Sequence, residues 1–291
     1  MNCEFRKLEF ESPETIDKLF INTDNSIALA DKEGGIRLYM INEDDDEPIL
    51  ITSYQDHKGP VMDAAFSSIA HPFYILTCSY DRSISLRSRE CQVFNYKEDD
   101  TSMGFFVCCT FVKTKGNVLR FLVGNSSGHI FDFDSRNGFT PVKYALFNES
   151  ITAIDSTADD CVLVSSSNKA PRIYLDKNFT EFISVGDESA KEKYKVARMV
   201  GDKFDAKLLL VTDNNRLEIY RINMNNREIE KEAQFQYEDK ILASMWNFST
   251  HSANLLVFNS DKNHFELRMI KEDLGSLGNW EVSDIASEIA E

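Results

Sequence analysis

Two sets of side chains have the types and spacing that could support acid–base chemistry. His57 and Asp81 would form a catalytic dyad if the fold brought them within hydrogen-bonding distance. Asp132 and Asp134 alternate with aromatic residues, so an extended chain would place both carboxylates on one face, where they could transfer protons or bind a cation. The alternatives are a buried, hydrogen-bonded His–Asp pair and two ordinary strand or loop carboxylates. We favour these alternatives because no further catalytic residues converge on either set.

Other residues with catalytic or ligand-binding potential lack the patterns that such sites require. The five histidines have no metal-ligand spacing, and the six cysteines form no Cys-x-x-Cys pair, so we expect buried, reduced thiols. Gly34, Gly35 and Gly124 fall in turns or strands and not in a strand-to-helix loop that would hold phosphate. We therefore expect no enzymatic activity, no cofactor and no metal site.

The charge of the chain restricts its partners. It carries 48 acidic and 32 basic side chains, a formal net charge of −16, and no cluster of Lys and Arg. Nucleic acid and anionic membrane surfaces are therefore excluded as expected partners. Acidic runs at 43–47 and 98–100 are typical of solvated loops, and the alternative is a docking patch for a basic partner. We expect no signal peptide and no membrane insertion, because no apolar run has the necessary length.

The elements that would position these residues are short strands. Apolar runs of strand length are each followed by Asp, Asn, Gly or Ser, and long helical periodicity is hard to find. Six of these runs lead into a polar turn and then into a strand of alternating polar and apolar residues that ends on a bulky residue. Those end residues are Tyr39, Arg87, Phe133, Leu175, Tyr220 and Arg268. The intervals between consecutive end residues are 48, 46, 42, 45 and 48 residues.

A repeat of this length with four strands per unit is typical of a β-propeller blade. A β-sandwich would explain the strands but not the longer period. The prediction is an all-β, six-bladed propeller spanning 1–285, with an N-terminal strand at 1–13 that pairs into the last blade and a frayed tail at 284–291. The predicted blades are 14–53, 54–98, 99–143, 144–185, 186–232 and 233–283.

The second repeat carries a more specific pattern. It contains His-Lys-Gly-Pro-Val at 57–61, Ala-His-Pro at 70–72 and Cys-Ser-Tyr-Asp-Arg at 78–82. This stretch resembles a WD repeat and, more narrowly, the second blade of the Sec-thirteen family, whose propellers are shared by the COPII outer coat and the Y-shaped scaffold of the nuclear pore. The stretches 255–270 and 278–284 are similar to that family's last blade, so the specific resemblance covers roughly a third of the chain.

The resemblance implies a structural hydrogen-bond network in the second blade. In a WD repeat, a loop His, a strand Ser or Thr, a turn Asp and a strand Trp commonly bond to one another. His57, Thr77 and Asp81 match the first three positions, whereas Arg87 stands at the Trp position. The chain has only two Trp residues, so it is a strongly diverged member of such a family.

The resemblance also implies an open propeller that a partner completes with a seventh blade. The partner would be a helical-solenoid coat protein of the Sec-thirty-one type, the equivalent scaffold nucleoporin, or both, in an obligate hetero-oligomer. The site of action would be the cytoplasmic face of the endoplasmic reticulum, COPII vesicles and the nuclear pore. The candidate interface residues in the first and last blades are Leu19, Phe20, Ile27, Leu29, Trp246, Phe248, Leu255, Val257 and Phe258.

Three alternatives remain open at this point. One is the sister nucleoporin propeller of the same Y-shaped scaffold, and another is a general WD-repeat interaction adaptor. The third is a propeller enzyme with its site at the central channel, which would need carboxylates or metal ligands from several blades.

Overall fold

The computed structural model describes most of the chain, in the ranges 16–21, 26–40, 49–67, 73–114, 118–157, 161–186, 193–201, 205–238, 240–247, 252–259, 264–272 and 280–283. From residue 240 onward it describes the backbone alone. The predicted N-terminal strand at 1–13 and the predicted tail at 284–291 lie outside these ranges.

The described residues confirm the all-β prediction. They form six four-stranded antiparallel sheets, and in each sheet the four strands follow one another in chain order. Apart from two 3₁₀ turns at Thr101–Met103 and Ser135–Asn137, this part of the chain contains no helix. No helix within it is long and apolar enough to cross a membrane.

The chain divides into two compact units, and residues 8–193 form the larger one. Sheet 1 contains β1 (Ile16–Ile21), β2 (Ser26–Asp31), β3 (Gly35–Met40) and β4 (Ile49–Gln55). Sheet 2 contains β5 (Val61–Phe66), β6 (Tyr74–Ser79), β7 (Ser83–Ser88) and β8 (Gln92–Lys97). Sheet 3 contains β9 (Phe106–Val112), β10 (Arg120–Asn125), β11 (His129–Asp134) and β12 (Val142–Ala145). Sheet 4 contains β13 (Ile151–Ser156), β14 (Val162–Ser166), β15 (Arg172–Tyr174) and β16 (Phe182–Ser184).

The other unit includes residues 194–291 and holds the last two sheets. Sheet 5 contains β17 (Tyr194–Gly201), β18 (Ala206–Thr212), β19 (Arg216–Asn223) and β20 (Glu228–Gln236). Sheet 6 contains β21 (Lys240–Asn247), β22 (Ser252–Asn259), β23 (His264–Glu272) and β24 (Trp280–Ser283). The outer strands of sheets 1, 3 and 5 end at Gln55, Ala145 and Gln236, slightly beyond the predicted blade ends at 53, 143 and 232.

Burial changes systematically from the second to the fourth strand in sheets 1 to 5. In sheets 1 to 5 the second strand is almost wholly buried on both faces, as in the apolar runs of β2, β10 and β14. The fourth strands of sheets 1, 2, 3 and 5 consist of exposed and partly buried residues. This pattern is expected for sheets that are covered on both faces and solvated at one edge.

The sheets of the larger unit pack in chain order. Their first strands, β1, β5, β9 and β13, are neighbours in succession, and an apolar cluster joins each sheet to the next. The cluster between sheets 2 and 3 is rich in aromatic rings, including Phe121 stacked on Phe133 with centroids 4.9 Å apart. Because no single sheet can cover both of its own faces, this succession buries the core.

Tight hairpins connect the second and third strands, as the sequence predicts. Four of them contain a residue with positive φ at the same place in the turn, namely Gly34, Arg82, Gly128 and Asn215. Glycine and asparagine adopt this left-handed region readily, whereas Arg82 adopts it only because its turn is held by other contacts. The corresponding turn of sheet 6 lies outside the described residues.

Candidate functional site: the buried polar network of sheet 2

His57 lies in the loop that leads from β4 into β5, and its ring is buried. The residue is 1% exposed. Its Nδ1 atom is 2.7 Å from Ser83 Oγ, and its Nε2 atom is 2.8 Å from Thr77 Oγ1. Both ring nitrogens therefore have a hydroxyl partner, one on β6 and one on β7.

Asp81 joins this network through Ser83 and not through the imidazole itself. Ser83 Oγ donates to Asp81 Oδ1 at 2.5 Å, while the His57 Nδ1 to Asp81 Oδ1 distance is 4.0 Å. Two backbone N–H groups, from Ser83 at 2.8 Å and Lys58 at 2.6 Å, also donate to the carboxylate. The structure thus brings His57, Thr77 and Asp81 together, with Ser83 as a fourth member that the sequence reasoning missed.

The hydrogen bonds assign the proton on the imidazole. Because the Ser83 hydroxyl donates to Asp81, its oxygen accepts from His57, so Nδ1 carries the hydrogen. Nε2 then accepts from the Thr77 hydroxyl. This neutral tautomer satisfies both nitrogen atoms of the ring.

This arrangement does not fit a catalytic dyad. A catalytic base must reach a substrate, but His57 and Thr77 are each 1% exposed. The hydrogen-bond order also puts a hydroxyl between the imidazole and the carboxylate, where a triad would put the imidazole between them. What the network does is connect the loop after β4, strand β6 and the β6–β7 turn.

Burial gives His57 a pH-dependent effect on stability. Removal from solvent lowers its pKa below the usual 6.5, although the carboxylates of Asp81 and Asp56 act in the opposite direction. The unfolded chain therefore takes up a proton near pH 6.5, while the folded chain takes it up only at lower pH. The stability from a neutral His57 is complete above pH 6.5 and falls as the pH drops toward the folded-state pKa.

We expect the free energy of unfolding to decrease between about pH 7.5 and about pH 5.5, and to decrease less in a His57→Gln variant. Urea unfolding at several pH values measures both slopes. Every other residue is the same in both proteins, so the difference between the two slopes isolates His57. Equal slopes would contradict the assignment of a buried neutral imidazole.

A second polar cluster occupies the position where a WD repeat has Trp. Arg87 on β7 forms a bidentate ion pair with Asp56, with bonds of 2.9 and 2.7 Å. Ser85 Oγ donates to the same carboxylate at 2.6 Å, and the guanidinium lies 4.3 Å from the centre of the Tyr54 ring. Burial alone would raise the pKa of Asp56, but the bonds from Arg87 and Ser85 hold it below its ordinary value.

Neither Asp56 nor Ser85 was singled out from the sequence. The available signal was an acidic residue directly before His57 together with an arginine at the Trp position. Arg87 therefore replaces the indole contact with an ion pair and a ring-stacking contact, and the loop after β4 remains tied to β7.

The other candidate carboxylates have separate partners. Asp132 is buried and pairs with Arg120 through bonds of 3.0 and 2.8 Å. Asp134 pairs with Arg136 and accepts from its backbone N–H at 2.8 Å, where it begins a 3₁₀ turn. These two carboxylates do not face a common site, and no group of three or more His, Cys, Asp or Glu in the described ranges could hold a metal ion.

The β6–β7 turn carries an aromatic side chain at the surface. Tyr80 is 55% exposed, and its ring centroid is 4.3 Å from that of Phe105, in the loop between sheets 2 and 3. Its backbone N–H donates to Pro60 O at 3.0 Å, and the next N–H, that of Asp81, donates to Ser79 Oγ at 3.1 Å. The polar network therefore fixes an exposed aromatic residue.

The candidate interface residues of sheet 1 fall into two groups. Phe20 is partly buried and packs against the apolar cluster between sheets 1 and 2, and its contact with a partner stays a prediction. Ile27 and Leu29 lie on the opposite face of β2 from that cluster and are 2% and 1% exposed. Leu19 pairs with Leu29 in the β1–β2 ladder.

The candidates of sheet 6 are described at the level of the backbone. Trp246 lies on β21 opposite Ala253, and Leu255, Val257 and Phe258 lie on β22. Within that strand Leu255 and Val257 share one face, and Phe258 belongs to the other. Phe248 lies outside the described residues.

The comparisons with known proteins concern the fold. No family model matches the chain, and a search of curated proteins finds no match. Among solved structures, the chain is similar to Sqt1 of Saccharomyces cerevisiae, a WD-repeat propeller protein, with a TM-score of 0.63 and 15% sequence identity over 85% of this chain and 70% of that chain. Because 1279 solved chains match, the likeness is to a widely used architecture. The fold of this chain is a WD-repeat-type β-propeller.

Proposed function

We propose that this protein is a non-enzymatic scaffold that holds other proteins together in a larger assembly. The observation that carries the proposal is the position of His57, since the residue best suited to chemistry is buried and fully hydrogen-bonded. Asp132 and Asp134, the two acidic candidates, are also bonded, Asp132 to the side chain of Arg120 and Asp134 to the backbone N–H of Arg136. WD-repeat propellers commonly act as interaction platforms, and the fold supports that role.

More specifically, we propose a structural role in the COPII outer coat and in the Y-shaped scaffold of the nuclear pore. The support is the sequence resemblance of the second repeat, whose His57, Thr77 and Asp81 form the kind of bonded set that the resemblance implies. The partner would be a helical-solenoid coat protein or scaffold nucleoporin that adds a β-blade beside the first and last sheets. Backbone pairing and apolar burial would supply the affinity.

Among the candidate interface residues, Ile27 and Leu29 lie on the face of β2 opposite the apolar cluster between sheets 1 and 2, and this position supports their assignment to the partner blade. Both side chains are buried, so an interface that includes them cannot be assembled on an exposed surface. We therefore expect a complex that is formed during folding or assembly and then persists, as obligate interfaces do.

The test is purification of the tagged protein from its own cells, followed by mass spectrometry and measurement of the ratio of components. The proposal expects a helical-solenoid coat or pore protein in a one-to-one complex that survives high salt, because an apolar interface is weakly screened. Leu29→Asp should abolish co-purification, whereas Val93→Asp, on exposed β8, should leave it unchanged. Recovery of a monomer from native cells, with no stoichiometric partner, would refute the coat and pore role.

The identity of the partner separates the remaining alternatives. A nuclear pore scaffold partner without the coat protein would assign the chain to the sister nucleoporin branch. A one-to-one partner of another class would leave the scaffold role intact and make the chain a general adaptor. Turnover that depends on residues of the central channel would overturn the non-enzymatic proposal itself.

A further inference from the structure

Tyr80 is the most exposed large apolar side chain among those described, at 55%. The next most exposed are Leu50 and Ile49, at 50% and 48%, and they lie on the outer strand β4. Tyr80 lies instead in a hairpin turn, beside the loop that leads to the next sheet. One face of its ring contacts Phe105, at 4.3 Å between centroids, and the exposed fraction shows that much of the rest faces solvent.

Two other aromatic rings of the chain are stacked against its own arginines. The guanidinium of Arg87 lies 4.3 Å from the centre of the Tyr54 ring, and that of Arg172 lies 4.3 Å from the centre of Phe182. In the described part of the chain, no Lys or Arg lies over the ring of Tyr80. The solvent-facing side of this ring is thus an unused cation–π acceptor.

The Tyr80–Phe105 pair is held in place before any ligand binds. On the Tyr80 side, the bonds to Pro60 and the Asp81 network fix the turn. On the Phe105 side, its N–H donates to Ser126 Oγ at 3.1 Å and its carbonyl accepts from Ser126 N at 2.8 Å. Because both rings come from fixed backbone, a ligand would lose less ordering entropy here than on a mobile loop.

The loop that supplies Phe105 also supplies negative charge. Asp99 and Asp100 are both exposed, and the Asp99 carbonyl accepts from Arg82 of the Tyr80 turn at 3.4 Å, which places this acidic segment beside the turn. The whole chain carries a net charge of −16, so a cationic segment is attracted to it. Buried Glu98 is already paired with Lys143.

We propose that the outer face of the Tyr80 ring binds an arginine side chain of a partner protein, and that the exposed acidic segment at Asp99 and Asp100 supplies the attraction for its charge. A guanidinium is flat and weakly hydrated, so it stacks on the ring while its edge donates to a carboxylate. An ammonium would satisfy the charge but not the stacking. This surface is separate from the proposed partner blade, and it goes beyond the scaffold role by specifying a second contact and its chemistry.

The experiment uses fluorescence anisotropy with a short labelled Gly/Ser peptide that has an Arg-Gly-Arg centre, and a matched peptide with Lys-Gly-Lys. We expect the arginine peptide to bind the full chain more tightly than the lysine peptide, by roughly 3-fold to 5-fold. Tyr80→Ser should weaken the binding of the arginine peptide about 5-fold, while Tyr80→Phe should bind like the wild type because the ring remains. Asp99→Asn should give an intermediate loss.

The controls separate a specific surface from general attraction to an acidic protein. Val93→Ser removes another exposed apolar side chain, 45% exposed on β8, and should leave binding unchanged. Unfolding curves that match the wild type show that the variants are folded. Equal affinity of wild type and Tyr80→Ser, or equal affinity of the two peptides, would overturn the proposal. Either result leaves the partner-blade proposal standing, since that proposal is tested by co-purification.

Discussion

Gly128→Ala is expected to lower the free energy of unfolding by about 3 kcal/mol or more. Gly128 has φ +83°, and a Cβ atom there would lie 2.1 Å from the carbonyl oxygen of Phe147 and 2.6 Å from its carbonyl carbon. The Gly128 carbonyl also accepts from the N–H groups of Leu146 and Phe147, so neither segment can move away freely. The cost of a left-handed alanine and the cost of the clash with fixed backbone therefore add together. Urea unfolding of the variant measures the loss.

Gly138→Ala is the matched control for this prediction. Gly138 also has a left-handed backbone, with φ +66°, but nothing lies within 4 Å of its added Cβ. Gly138→Ala should lower the free energy of unfolding by only about 1 kcal/mol, the cost of holding alanine in a left-handed conformation. Equal losses in the free energy of unfolding for the two variants would contradict the close approach between the β10–β11 turn and the following loop.

Arg87→Ala is expected to cost about 3 kcal/mol, because it leaves the Asp56 carboxylate buried without its ion-pair partner. The Asp56 side chain is 6% exposed, and Arg87 supplies two of its bonds. The loss includes the contact with the Tyr54 ring, whose hydroxyl is buried with no hydrogen-bond partner in the described part of the chain. Chemical denaturation of the purified variant gives the value.

Arg136→Ala provides the control for the ion pair. Arg136 and Asp134 make the same kind of Arg–carboxylate contact, but the arginine side chain is 68% exposed. Water and salt screen such a pair, so its loss should cost within about 0.5 kcal/mol. A partial recovery in the Arg87→Ala, Asp56→Asn double variant would show that the unpaired charge is the cause. A small loss in Arg87→Ala itself would mean that Asp56 is solvated, contrary to the structure.

The six-sheet architecture could be predicted from the sequence because its signals are local. Three of the hairpins have a polar turn with a residue suited to positive φ, namely Gly34, Gly128 and Asn215, between short apolar strands. The assignment of His57, Thr77 and Asp81 to one network came from the resemblance of a single repeat. It did not include Ser83, because a hydroxyl relay depends on distances of a few tenths of an ångström.

The missed features depend on tertiary contacts that no local pattern encodes. Arg87 and Asp56 are far apart in sequence, and their pairing follows from the position of the loop after β4 against β7. Phe20 is a candidate for the partner surface because it is a large apolar residue in the first repeat, and its packing against the cluster between sheets 1 and 2 could not be predicted from that property. Strand periodicity alone does not say which face of β1 meets which neighbour.

The most direct test of the claim that the His57 network is architectural is a double-mutant cycle with Thr77→Val and Asp81→Ala. Each single variant should lower the free energy of unfolding by about 1–3 kcal/mol, because each leaves buried polar atoms without a partner. Since both act through His57, the two losses should couple by at least about 0.5 kcal/mol, whereas the exposed control Asp99→Ala should be neutral. Wild-type stability in both single variants would contradict the account.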